Sequence, residues 1–130
     1  MLATLLWVAA CASGDSGGSD PLDEGRSVYA STCSACHLPD GSGGELAASL
    51  VTVTETFPEC ADHIRWIALG SDRWKTEVGD TYGATAKEIT RIMPSFEENL
   101  SAHEIAQVAA FERSRYGGLD SEVALDQCGA

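Results

Sequence analysis

The stretch Cys33-Ser34-Ala35-Cys36-His37 constrains this chain more than any other. Two thiols three positions apart, followed at once by an imidazole, allow three chemistries: a redox dithiol, half of a zinc site, or covalent attachment of a haem. A redox dithiol wants a βαβ setting, and the sequence has none. Structural zinc wants a second ligand pair, and Cys60 with His63 is the sole nearby candidate. Haem attachment explains every position. Each thiol adds across one vinyl group, and the histidine, next along the chain, swings under the iron. The surroundings agree with this. Residues 23–37 read as a helix running up to the motif, with Asp23 and Glu24 in its first turn, where the helix dipole favours acids. Val28, Tyr29, Thr32 and Cys33 follow a period near 3.6. Behind His37, "LPDGSGG" cannot continue a helix.

The N-terminus reads as a targeting segment. Leu2 to Ala10 is apolar but far shorter than the ~20 residues of a spanning helix. It has the length of a secretory h-region. Val8-Ala9-Ala10-Cys11 resembles a bacterial lipobox, in which the cysteine becomes lipidated and N-terminal; the usual basic residues before the apolar run are missing. Residues 1–10 are therefore expected to be a lipoprotein signal peptide. Residues 11–21 would be a flexible linker beginning at lipidated Cys11, small, polar and acidic, with a spread of ~17 Å. The predicted location is the extracytoplasmic side of a membrane, held by a lipid anchor.

Five cysteines are present. With Cys11 on lipid and Cys33 and Cys36 on haem, Cys60 and Cys128 remain, in an exported chain where disulfides persist. A bridge between them is expected, with two buried free thiols as the alternative.

The chain has two methionines, Met1 and Met93, and Met1 leaves with the signal. Met93 lies in "RIMPSF", where Pro94 stops helix continuation. It is the expected sixth iron ligand. His63 and His103 are the rivals in a bis-histidine site, and both read as surface residues.

The pattern Gly25, Tyr29, Cys33, Cys36, His37, then the Gly-rich loop and later "MPSFEENLSAHEIAQVAAFERSRYG", resembles the small bacterial class I cytochromes c. The resemblance covers residues 22–117, with 118–130 as a C-terminal tail. It implies an all-α cytochrome c fold, helices and loops wrapped around one covalent haem c, with electron transfer rather than enzyme catalysis as the activity. It also implies that the C-terminal helix crosses the N-terminal one, bringing Gly25 and Tyr29 against Val108 and Phe111. Independently, Ser101 and Glu104 form a capping-box signature, and Gly117 would close that helix.

Two departures from the family stand out. The family often has a proline after the histidine whose carbonyl orients the imidazole. Here the segment reads "GGELAASL", so another carbonyl must do so. The middle of the chain is also longer. Residues 58–69 read as a helix closed by Gly70, and 71–86 as a loop whose Trp74 and Tyr82 either cover the haem or anchor the loop.

With 20 acids against 8 bases the net charge is −12, which argues against a nucleic-acid partner. The expected partners are redox proteins with basic docking patches. Two other functions stay open: a haem sensor or small-ligand binder with a displaceable Met93, and a haem subunit of a larger oxidase or dehydrogenase.

Overall fold

A computed structural model describes residues 19–130. The signal segment, Cys11 and the linker up to residue 18 lie outside the described residues, so the readings made on them have no structural counterpart here.

The first helical stretch is continuous but not uniform. It runs as α1 (Asp23–Val28), a π-helical turn (Tyr29–Cys33) and α2 (Ser34–His37). The π turn falls on the residues leading into the thiols. Such insertions are rare and concentrate at functional positions. After α2 come the short α3 (Val53–Thr56), the long α4 (Cys60–Glu77), a two-residue hairpin β1 (Thr81–Tyr82) and β2 (Lys87–Glu88), then α5 (Ala102–Arg115) and α6 (Ser121–Cys128). The hairpin pairs Thr81 with Glu88 and Tyr82 with Lys87.

Two crossings organise the core. In the first, α1 lies on α5 at Gly25. A Cβ on Gly25 would stand 2.2 Å from the Gln107 carbonyl oxygen and 2.8 Å from the Phe111 Cβ. Only glycine permits that approach. Tyr29 then packs between Phe111 and Tyr116, with ring centroids 5.5 and 5.1 Å away. In the second, α4 packs on α5 and α6. Arg113, 1% exposed, donates to the carbonyls of Phe57 (2.6 Å) and Pro58 (2.9 Å) and to Gln127 Oε1 (2.9 Å). One guanidinium thus ties α5 to the start of α4 and to α6.

The start of α5 has both halves of its capping box. The Glu104 N–H donates to Ser101 Oγ at 3.2 Å, and the Ser101 N–H donates to Glu104 Oε2 at 2.8 Å. Residues 118–130, read from sequence as a tail, carry α6. Asp120 caps it through the N–H groups of Glu122 and Val123, and Ala124 is fully buried.

The middle of the chain differs from its sequence reading. Gly70 leaves helical geometry (φ 65°, ψ −179°), but the chain re-enters a helix at once and continues to Glu77. The break aims the Ser71 N–H at the Met93 carbonyl instead of at its own helix (2.8 Å). Trp74 is buried, not displayed on a loop, and its indole N–H donates to the Thr81 carbonyl at 2.9 Å.

Candidate haem site

Cys33, Cys36, His37 and Met93 all line one cavity. Cys33, Cys36 and His37 form one wall, from the end of the first helical stretch. The loop Leu46–Leu50 and α3 form the next. Phe57, His63, Trp66 and Ile67, residues 87–94 and Glu112 of α5 complete the lining. Both motif thiols are free, Cys33 buried and Cys36 exposed.

His37 is fixed from two directions. Its Nδ1 lies 2.9 Å from the Ala48 carbonyl oxygen, which supplies the orienting carbonyl that the sequence left unnamed. That contact leaves Nε2 for an iron. The chain turns sharply behind the imidazole, with Leu38 at φ 66°, and two tyrosines hold the turn. Tyr29 donates its hydroxyl to the Leu38 carbonyl (2.6 Å) and Tyr116 donates to the Pro39 carbonyl (2.9 Å). Both tyrosines belong to the aromatic cluster at the α1–α5 crossing, so the helix crossing sets the position of the imidazole.

Met93 lines the same cavity, and its backbone is laced to the break in α4. The Ser71 N–H donates to the Met93 carbonyl, and the Met93 N–H donates to Ser71 Oγ at 3.1 Å. Ser95 Oγ donates to the Ala68 carbonyl at 2.7 Å. A Cβ on Gly70 would come within 2.5 Å of both Met93 and Pro94 backbone atoms.

The two rival histidines part company. His103 is exposed beside Glu24, 3.2 Å away. His63 is not at the surface: it is 2% exposed, stacks on Phe57 (5.3 Å, 8° between planes), and its Nε2 lies 3.0 Å from Glu112 Oε2. Cys60 is joined to Cys128 in a disulfide with Cα atoms 5.2 Å apart, which removes it as a zinc ligand. Among the described residues no group of three or more His, Cys, Asp or Glu side chains is arranged to hold a metal ion.

Tyr82 lines the cavity and stacks on Trp66 at 4.3 Å, whereas Trp74 supports Trp66 from behind, edge to face at 5.3 Å. Burial, followed by the nearby Glu112 carboxylate, pushes the Cys33 thiol up. Two cations stand in the wall of this acidic protein. Lys87 donates to Thr56 Oγ1 (2.7 Å) and Arg91 donates through Nε to the Glu45 carbonyl (3.0 Å). The sequence reading missed Lys87, Arg91, Glu112 and Ala48, which no local pattern marks.

This donor set fits a haem. Two free thiols sit one helical turn apart, beside an imidazole held through Nδ1, and they share a mainly apolar cavity with a thioether. The family described as cytochrome c oxidase, cbb3-type, subunit III matches residues 20–111.

The chain belongs to that family. It is a c-type cytochrome with the all-α cytochrome c fold, it carries covalently bound haem c, and its activity is haem-based electron transfer. Among solved structures, the c-type cytochrome XoxG from Methylobacterium extorquens AM1 aligns with a TM-score of 0.54 at 18% identity. The alignment covers 83% of this chain and 67% of that one, and it bears on the fold alone. No match is found among curated proteins. Among the described residues, no helix of this cytochrome is long and apolar enough to cross a membrane.

Proposed function

We propose that this cytochrome holds a single haem c through thioethers to Cys33 and Cys36, with His37 and Met93 as axial ligands. It would shuttle electrons between membrane-associated redox proteins outside the cytoplasm, and catalyse no bond chemistry of its own. The observation that carries this reading is the convergence of all four side chains on one cavity, with His37 Nδ1 held by the Ala48 carbonyl.

The bound haem supplies one-electron exchange between ferric and ferrous iron. The chain's residues do the rest. His37, held through Nδ1, presents a basic Nε2 of fixed orientation. The Met93 thioether favours the ferrous state and raises the potential relative to more basic ligand pairs. Ser71 and Gly70 set where the Met93 backbone runs. Trp66, Ile67 and Phe57 exclude water. With His37 and Met93 both held by the iron, no site would be left for a substrate.

Partners would dock by a small, weak interface, and the net charge of −12 selects basic patches and makes association salt-sensitive. Cys11 would anchor the domain to the membrane through lipid. The test is the absorption spectrum of Met93→Ala beside wild type. The variant should lose the weak red band of ferric methionine-ligated haem and fall in potential. Wild-type protein lacking that band would overturn Met93 ligation.

The family's description as an oxidase subunit favours a second reading, a haem subunit fixed in a larger complex. Stoichiometric co-purification with a membrane oxidase, surviving high salt, would select it over a mobile carrier.

A further inference from the structure

The cavity contains an ionisable pair that the ligation scheme does not use. His63 and Glu112 side chains are 3% and 4% exposed, and both line the cavity. The Nε2 of His63 meets Glu112 Oε2 at 3.0 Å, while its Nδ1 has no hydrogen-bond partner among the described residues. Parallel stacking on Phe57 holds the ring in this orientation.

The missing partner selects a protonation state. An imidazolium would bury a charged N–H at Nδ1 with nothing to accept it, which is more costly than a bare ring nitrogen. The favoured resting state is a neutral His63 that donates Nε2–H to an ionised Glu112. The pair then carries one negative charge.

Among the described residues no Lys or Arg forms a salt bridge with Glu112, whose partner is His63. Arg113, the next residue on α5, keeps its positive charge but turns its guanidinium to the carbonyls of Phe57 and Pro58 and to Gln127 rather than to Glu112. Glu59, near Arg113, adds a further acid. Tyr29 and Cys33 on the first helical stretch, and Tyr116 on α5, feel the Glu112 carboxylate and are neutral near pH 7. Lys87, Glu88 and Arg91 line the same cavity, with Lys87 held by Thr56 and Arg91 by the Glu45 carbonyl.

We propose that His63 and Glu112 form a redox-linked proton site, in which electron delivery to the haem is accompanied by proton uptake at His63 Nδ1. The inference rests on haem occupying this cavity. Ferric iron brings a positive charge that offsets the buried carboxylate in a low-dielectric interior. One electron from the redox partner removes that charge. One proton from solvent, bound at the free Nδ1 lone pair, restores the balance, and re-oxidation releases it. No other bond forms or breaks. By linkage, whatever makes reduction favour protonation makes protonation favour reduction to the same degree. Glu112 is a positioning residue here: it fixes the His63 tautomer and supplies the charge.

The test is the midpoint potential of the holoprotein across about pH 5 to 8. Wild type should show a falling limb that approaches a tenfold change in the redox equilibrium per pH unit, ~59 mV for one electron. Glu112→Gln preserves shape and an acceptor for Nε2–H while removing the charge. It should raise the potential and flatten the limb. His63→Gln should flatten the limb while keeping the potential low. A flat wild-type profile in haem-loaded protein overturns the proposal. So does a limb that persists in both variants, which would assign the proton to a haem propionate. Should one variant fail to fold, the wild-type profile and the other variant still decide. Failure of the haem reading itself looks different, because the wild-type protein would then give no covalent-haem spectrum in alkaline pyridine.

Discussion

The Nδ1 of His37 and the carbonyl oxygen of Ala48 lie 2.9 Å apart, across eleven residues of a glycine-rich loop. The loop reaches that position because Gly43 adopts φ +69° and the Gly44 N–H donates to the Ala47 carbonyl at 2.8 Å. A side chain on Gly43 would put its Cβ 2.6 Å from the Ala48 carbonyl carbon and the Ser49 nitrogen. Both are backbone atoms, so the loop itself must move.

Gly43→Ala is therefore expected to act on the iron ligand from a distance. The left-handed backbone alone costs about 1–2 kcal/mol for a residue with a Cβ. Displacement of the Ala48 carbonyl weakens the bond to Nδ1–H and makes the imidazole a poorer base, which favours ferrous iron. Thermal unfolding should show a lower Tm, and redox titration a higher midpoint potential. An unchanged potential in a destabilised variant would show that the Ala48 contact does not tune the ligand.

Gly70 makes the matching prediction for the Met93 loop. It combines φ +65° with backbone atoms of Met93 and Pro94 within 2.5 Å of a would-be Cβ. Gly70→Ala should push the Met93 loop outward, at a cost of about 1–3 kcal/mol before any clash is counted, because φ 65° with ψ −179° is a backbone region essentially reserved for glycine. The variant should lose the weak red ferric band and drop in potential, reproducing Met93→Ala without touching the sulfur. Retention of the band would mean that the loop can relax while keeping the thioether in place.

These two glycines mark how far the sequence could be read. The thiols, His37 and Met93 announce themselves through local motifs, and the capping box of α5 does so too. Gly70 was legible as a helix stop, but its φ allows an immediate restart, and the Ser71 contact that stabilises the restart comes from Met93, far along the chain. His63 lies three residues after Cys60 and four before Ile67, both buried, so the helical period did place it on the inner face. The sequence nevertheless points to the surface, because the acid that makes its burial tolerable, Glu112, belongs to another helix. The carbonyl of Ala48 carries no side-chain signature at all. What stayed hidden were relationships between distant segments, not the identities of chemical groups.

Acid should weaken the start of α5. Glu104 is held below its ordinary value of 4.5, first by the Ser101 N–H and then by the Ser101 hydroxyl. Asp20 and Asp40 are also held down, by the Leu22 N–H and Arg26 and by the Ser42 hydroxyl and N–H respectively. A carboxyl with a depressed folded pKa contributes stability above its unfolded value and loses it as pH falls through the folded one. Urea midpoints should therefore hold above about pH 5 and fall below it. Ser101→Ala should start lower and show a shallower acid limb, since the hydroxyl and its share of the Glu104 shift are gone. An acid limb as steep as wild type would place the sensitivity in the other carboxylates.

Membrane attachment is predicted to reside in one atom, the sulfur of Cys11. Cys11→Ser expressed in a bacterial host that matures lipoproteins should release haem-loaded protein into the soluble fraction. Fractionation that finds it still with the membrane would refute the lipid anchor.

The disulfide between Cys60 and Cys128 closes a segment with a sequence separation of 68, which contains the hairpin, the Met93 loop and α5. It joins the first residue of α4 to the last residue of α6. In the chain-entropy account, closing a loop of that size stabilises the fold by about 4 kcal/mol through restriction of the unfolded state. The crossing of α1 on α5 does not depend on it, because Gly25, Tyr29, Phe111 and Tyr116 make that contact without either cysteine. α6 is held by Ala124 in the core, by Leu125 packed against it, by Gln127 on Arg113, and by the bridge. A Cys60→Ala, Cys128→Ala double variant should thus lose much of its global stability yet keep its haem and its ligand band. Hydrogen exchange should accelerate in residues 121–128 well before it does so in α1 or α5. The Arg113 guanidinium would lose its Gln127 partner as α6 frays, but keep the Phe57 and Pro58 carbonyls. Equal acceleration along the whole chain would mean that α6 unfolds only with the rest of the domain, and that the bridge stabilises the fold as one unit.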